Sequence, residues 1–385
     1  MVDKIRSAVQ FNIFVSDISR FIKSKGHDKL LTEFQAECSN LDIFSCDEII
    51  EINKRVHFYR KDNEVLAFSR EFRESLHYGH LHSFFEYSGI DLTDAIFFPI
   101  IEHGTYFEPK EYIQRRGSVV VMGQNRQSFW HMFCPGKPAF VVGPYIHYAT
   151  PYYDDERHTY LKKQWGRMLL VFPHHTFEMV SAEYDVEKFV NDVMKVHAKH
   201  YDTVVVCLYW ADVSTKLYEA FRAHGAEIVC AGYRWDYNFI KRLKTIISLA
   251  DSVITNSIGT HIGYCGYMEK AVKYIESNAA MTYKGEKFEG STEPSAIPSI
   301  KSILLQEKGV EEQKTLFEQY WGFNEVKTKE EIRGIFDLNK KIIWMSKGNY
   351  SKFGKSAQKL LMTDLSAIKR KLLSDAVSVQ GDNSF

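Results

Sequence analysis

A chain of 385 residues exceeds the roughly 250–300 at which a single hydrophobic core stops growing, so two domains are expected. With 45% hydrophobic and 25% charged residues the composition is that of an ordinary globular protein, which excludes a disordered or fibrous chain. The 49 basic residues cancel the 49 acidic ones, so no net field attracts nucleic acid and no nucleic-acid partner is expected. The six cysteines form no CxxC pair and no short-spaced set with histidine. They read as reduced core thiols, no metal is expected, and no window is apolar enough to span a membrane. A cytoplasmic protein is the expectation.

Along the chain, residues 1–90 read as mainly helical: Ile18, Phe21 and Ile22, then Leu30, Leu31 and Phe34, recur at helical intervals among charges. From 95 on the texture changes to short apolar runs at 95–101, 118–123, 138–143, 167–173, 203–210, 227–233 and 251–257. Amphipathic stretches at 186–200, 214–225, 235–250 and 261–275 separate the later ones. Uniformly apolar strands alternating with helices predict buried parallel sheets in α/β layers. The segment 144–166, rich in proline, tyrosine and charge, breaks the alternation and is expected to connect two domains. The predicted division is therefore a first domain over 1–150, a connector over 151–166, a Rossmann-like domain over 167–300 and a helical region over 301–385. Within that last region, 340–372 carries nine Lys or Arg against a single Asp364. This pattern reads either as an amphipathic layer packed on the protein or as a segment lying on an anionic membrane surface.

In an open α/β sheet, ligands bind beyond the carboxyl ends of the strands. Four strand ends carry polar residues: Glu102-His103-Gly104-Thr105, His174-His175-Thr176, Arg234-Trp235-Asp236, and Asn256-Ser257 followed by Gly259-Thr260-His261. The last leads directly into a predicted helix, so backbone N–H groups, hydroxyls and the helix dipole can face an anion there; an ordinary Ser or Thr N-cap is the alternative. His174 and His175 follow Pro173 on the same predicted edge and can donate to phosphate oxygens. Glu269, eight residues past His261, either holds ribose hydroxyls or pairs with a lysine at the surface. Gln124-Asn125-Arg126 reads as a helix cap or an acceptor contact.

These residues resemble those of nucleotide-sugar glycosyltransferases of the GT-B fold, in which two Rossmann-like domains face a cleft. The Phe-Pro-His-His segment ending at His175 and the stretch ADSVITNSIGTHIGYCGYMEKAV are similar, more narrowly, to capsule and O-antigen (lipopolysaccharide) biosynthesis proteins. UDP-GlcNAc 2-epimerases and glycerophosphate-polymerising transferases share the outline. The resemblance covers about 95–275 and departs from the pattern in its second histidine and in a first domain of only about three strands. It implies transfer of a sugar from a nucleotide-sugar donor to a glycan or lipid-linked acceptor, without metal or other cofactor. The donor phosphates would lie against His174, His175, Thr176, Arg234, Asn256, Ser257, Gly259, Thr260 and His261, with Glu269 at the ribose and Glu102 or His103 as the base. A sugar-nucleotide epimerase or hydrolase, and a non-catalytic subunit of a polysaccharide assembly complex, are the alternatives.

Overall fold

In the computed structural model the described residues are 36–61, 75–102, 104–107, 117–176, 180–277, 280–283, 286–287, 296–306 and 308–377. The helical pattern expected over 1–34 and the candidate base His103 lie outside them. The chain divides into two compact units, each built from separated stretches. One holds 62–149 and 318–385 with the first 34 residues, and the other holds 35–61 and 150–317.

The first unit contains a parallel sheet of three short strands in chain order, β1 (Ile100–Ile101), β2 (Val119–Val121) and β3 (Ala139–Val141). Val119, Val121, Ala139 and Val141 form its core with Trp130 of the helix Gln124–Phe133 and Cys134 at that helix's C-cap. The apolar run at 95–101 is strand only at its end. Asp91 caps a 3-10 turn over Leu92–Phe97, and Pro99 has no N–H to give to a ladder.

Glycines 123, 143 and 322 let the chain pass very close to itself beyond β2 and β3. A Cβ on Gly123 would fall 2.5 Å from the Gln319 carbonyl oxygen, and one on Gly322 2.6 Å from that of Met122. The carboxyl rim of β2 and β3 is therefore filled by residues 318–326 of the same unit, where Gln124 Nε2 also donates to Glu325 Oε1 at 2.9 Å.

Past this segment, a Thr328–Glu331 capping box starts the helix Lys329–Met345, and the helices Phe353–Leu361 and Ala367–Ala376 pack with it. Ile342, Ile343, Leu360, Leu365 and Leu372 of the basic stretch are buried. From residue 318 on, the stretch expected as a separate C-terminal region is thus a packed layer of the first unit. Lys340 pairs with Asp94 and Lys369 with Asp337.

The second unit carries β4 (Met168–Phe172), β5 (Val180–Glu183), β6 (Thr203–Leu208), β7 (Glu227–Cys230), β8 (Ser252–Thr255), β9 (Val272–Tyr274), β10 (Ala280–Tyr283) and β11 (Glu286–Lys287). Five of these form one sheet in the order β7-β6-β4-β8-β9, all parallel, and β11-β10-β5 form a small antiparallel sheet. The larger sheet explains the uninterrupted apolar runs, since nearly every position of β4, β6 and β8 is buried, whichever face it points to.

Two expectations are corrected here. The helix expected over 261–275 ends at Tyr267, where Glu269 takes a left-handed conformation (φ 59°), and the β-branched remainder becomes the edge strand β9. The passage between units falls at 149–150, but most of the expected connector is a helix, Asp155–Trp165, capped by Asp154 and burying Leu161 and Trp165.

The early segment of this unit is held by one fully buried guanidinium. All five N–H groups of Arg242 find an acceptor: Nε the Leu41 carbonyl at 2.8 Å, Nη1 Asp236 at 2.5 Å and the Ala231 carbonyl at 3.3 Å, and Nη2 the carbonyls of Cys38 and Ser39 at 3.1 and 3.3 Å. Tyr152 and Tyr153 add hydroxyl bonds to the Leu41 carbonyl and to Asp42.

The close approach at Gly123 sets a test. Gly123→Ala must push backbone apart, and a loss of about 1–3 kcal/mol is expected, read as a lower denaturation midpoint.

Candidate active site at a strand-order reversal

The order β7-β6-β4-β8-β9 starts in its middle: from β4 the chain builds outward through β6 and β7, then returns to the other side of β4 for β8 and β9. A reversal of strand order is where neighbouring turns diverge and ligands bind in open α/β sheets, and here it falls between the turns after β4 and β8. These are the turns that carry His174-His175-Thr176 and Asn256 to His261.

The β4 turn is pinned from both neighbours. The His174 N–H donates to Asn256 Oδ1 at 2.6 Å, and the Thr176 N–H donates to Asp212, in the turn after β6, at 3.0 Å. Asn256 is 1% exposed, and its Nδ2 has no hydrogen bond of good geometry beyond a loose approach to the Tyr184 hydroxyl. Thr255 ties the β8 turn together. Its hydroxyl reaches the Phe172 carbonyl at 2.8 Å, receives the Ser257 N–H at 3.1 Å and lies 3.1 Å from His261 Nε2.

The helix Thr260–Tyr267 begins with Gly259 as N-cap and no side chain caps it. The alternative of a Ser or Thr side-chain cap is therefore not realised; the Ile262 N–H turns back to the Gly259 carbonyl at 3.2 Å, and the positive end of the helix lies at this turn. Gly259 is extended (φ −158°), so its lack of a side chain leaves space rather than relieving strain. A Cβ there would lie 3.2 Å from His261 Nδ1.

Three imidazoles gather at this point, all held neutral. Burial, with mutual repulsion from its neighbours, lowers His175 to about 4 and His261 to about 3. Burial, with Lys301 of the helix Ala296–Leu305 adding repulsion, lowers His174 as well. His175 lies against Tyr209, with ring centroids 4.6 Å apart. Asp212 moves the other way: burial raises its carboxyl to about 6 against the opposing hydrogen bonds from Thr176. Among the described residues, no group of three or more His, Cys, Asp or Glu is placed to hold a metal ion.

Of the residues expected from the sequence, the structure thus brings together His174, His175, Thr176, Asn256, Ser257, Gly259, Thr260 and His261. Arg234 follows β7, two strand spacings or roughly 10 Å from β4, and its guanidinium lies over Trp235. Glu269 is at the opposite end of the sheet. Because β8 and β9 run parallel, the residues just before β9 lie at the edge where β8 begins, not where it ends. There Glu269 pairs with Lys314 at 2.7 Å.

Glu102 is also spoken for. Buried in the first unit, it takes Arg126 Nε and Nη2 at 2.8 and 2.6 Å and the Trp130 indole at 3.2 Å. With both oxygens engaged it organises the core of that unit and is not carried forward as a base; Arg126, read as a cap or acceptor contact, is its partner. Asp212, Thr255, Tyr184 and Lys301 were missed. The strand-end rule finds Asp212 once it is applied to the run 203–210.

No family model matches the chain, and no curated protein is significantly similar to it.

Two tests follow from this geometry. Glu102→Ala removes the buried carboxylate that Arg126 and Trp130 share, so a loss of about 3–5 kcal/mol in unfolding free energy is expected. The histidines set a pH dependence. They bind protons near pH 6.5 when unfolded and only near 4 or below when folded, so they stabilise above 6.5 and that contribution drains away as pH falls toward 4. Each costs up to roughly 1.4 kcal/mol per pH unit. Asp212, raised instead, opposes this between about 4 and 6. His261→Gln should flatten the acid limb of stability against pH, and Asp212→Asn should steepen it.

Proposed function

We propose that the second unit binds the phosphates of a nucleotide-sugar and that the protein is a glycosyltransferase of the GT-B type. It would move the sugar to a surface polysaccharide of the capsule or lipopolysaccharide kind. The observation that carries this reading is the uncapped helix terminus at the strand-order reversal, bordered by the buried Asn256 amide and by the Pro173-His174-His175 turn. A diphosphate there would take backbone N–H groups from Gly259 and His261, the Asn256 amide and the Ser257 hydroxyl. Lys301 supplies positive charge near His174. As the sugar leaves, charge grows on the phosphate oxygens, and a fixed set of donors at that point stabilises the leaving group more than the ground state. Trp344, Met362 and Ile368, exposed beside the exposed Lys341, Lys355, Lys359 and Lys371 of the first unit, support a peripheral contact with a membrane that carries a lipid-linked acceptor.

The engagement of Glu102 favours a second reading, a sugar-nucleotide epimerase or hydrolase on the same turns, because it removes one candidate for an acceptor-side base. Incubation with donor alone separates the two. Conversion or release of the sugar without acceptor supports the second reading, and product that appears only with acceptor supports the first. Binding with no turnover in either case would point to a non-catalytic subunit.

The phosphate site is tested by thermal unfolding with UDP, CMP, CDP and GDP. A nucleotide at 100 times its dissociation constant should stabilise the fold by about 2.7 kcal/mol. Gly259→Val, which fills the space beside His261 in a backbone conformation any residue adopts, should abolish the shift. The reading fails if none of the four nucleotides stabilises the protein.

A further inference from the structure

His261 stands beside the proposed phosphate position in a protonation state that the hydrogen bonds fix. The Thr255 hydroxyl has one hydrogen, and its nearest acceptor is the Phe172 carbonyl at 2.8 Å, against 3.1 Å for the Ser257 carbonyl. The oxygen already accepts the Ser257 N–H, so toward His261 Nε2, 3.1 Å away, it can only accept. The hydrogen of the neutral imidazole is therefore on Nε2, and Nδ1 presents a lone pair. That lone pair faces the space left by Gly259, at the first turn of the helix. His174 repeats the situation on the β4 turn: its backbone is fixed by Asn256, and its buried Nδ1 has no partner.

A phosphate oxygen entering this space meets a lone pair, which repels it. If the nitrogen gains a proton, the same contact becomes a charge-assisted hydrogen bond. We propose that these turns take up their phosphate-bearing ligand together with a proton, shared between the His261 and His174 imidazoles. The inference rests on the nucleotide reading above. The proton comes from solvent, forms an N–H bond at Nδ1 and returns to solvent when the ligand leaves, and no bond of the ligand changes.

The groups facing the pair are His175 on the β4 turn, Tyr184 after β5, Asp212 after β6 and Lys301 on the helix Ala296–Leu305. In the free protein, burial keeps the imidazoles neutral, helped at His174 by Lys301 and at His261 by the repulsion that a second protonated ring would bring. A phosphate of about −1.5 to −2 charge set against the ring reverses that balance.

Titration calorimetry of the full chain decides this, with whichever of UDP, CMP, CDP or GDP binds, at pH 7.5 in two buffers of different ionisation heat. At that pH the phosphate is itself nearly fully ionised, its second pKa being about 6, so any proton taken up is the protein's. Uptake of half a proton or more is expected, and with it an affinity that falls about threefold per pH unit above 7. His261→Gln keeps an N–H for Thr255 but cannot protonate, so uptake should fall by half or more, and by more again with His174→Gln. Ring-nitrogen NMR of the 15N-labelled unaltered protein should show a bare Nδ1 gaining its proton as ligand is added. Binding with no buffer dependence would overturn this inference and leave the nucleotide reading standing. Uptake undiminished in both variants would overturn the assignment to these rings, and failure of all four nucleotides to bind would overturn both proposals.

Discussion

The site depends on where its sheet begins. A parallel sheet laid down from one edge to the other sends every strand-end turn in the same direction, and each helix covers the turn before it. This one starts at β4, in the middle, and returns to the other side for β8 and β9. Only there do two neighbouring turns part, and the buried Asn256 and Asp212 side chains that brace the β4 turn come from the strands on either side of it. The apolar sequence of the strands has nothing to do with this opening; connectivity makes it.

Within that frame a single hydroxyl sets the local chemistry. Thr255 is the last residue of β8, and its side chain settles the direction of the turn, the tautomer of His261 and the link back to β4. Serine would offer the same oxygen without the methyl that stiffens χ1, so a β-branched residue suits a strand end that must hold four groups in place. The histidines are then neutral by environment, and the site's positive character in the free protein comes from backbone dipoles and Lys301.

Much of this was legible in the amino-acid sequence, because buried parallel strands leave continuous apolar runs and strand ends can be read off where those runs stop. The joint between His174–Thr176 and Asn256–His261 was found that way. What could not be read was pairing. Glu102 has the look of an exposed strand-end base until Arg126, on the next strand-to-helix turn, is seen to occupy it from within the core. Glu269 was carried to the wrong end of the sheet because nothing in GYMEKAVKYI announces a left-handed residue closing the helix after two turns. The first unit was harder still: its short strands owe their stability to residues 318–326, packed against glycines 123 and 143, two hundred positions away in the chain.

Arg242 carries a consequence for how the protein is made. Its guanidinium closes over carbonyls of residues 38–41, which leave the ribosome some two hundred residues before it does. The first unit in turn waits for its layer of C-terminal helices. The second unit can therefore close only after residue 317 has emerged, and the first, interrupted by it, must wait for 318–385. Vectorial synthesis thus reverses the usual order here: the unit that begins later along the chain is the one that can finish first.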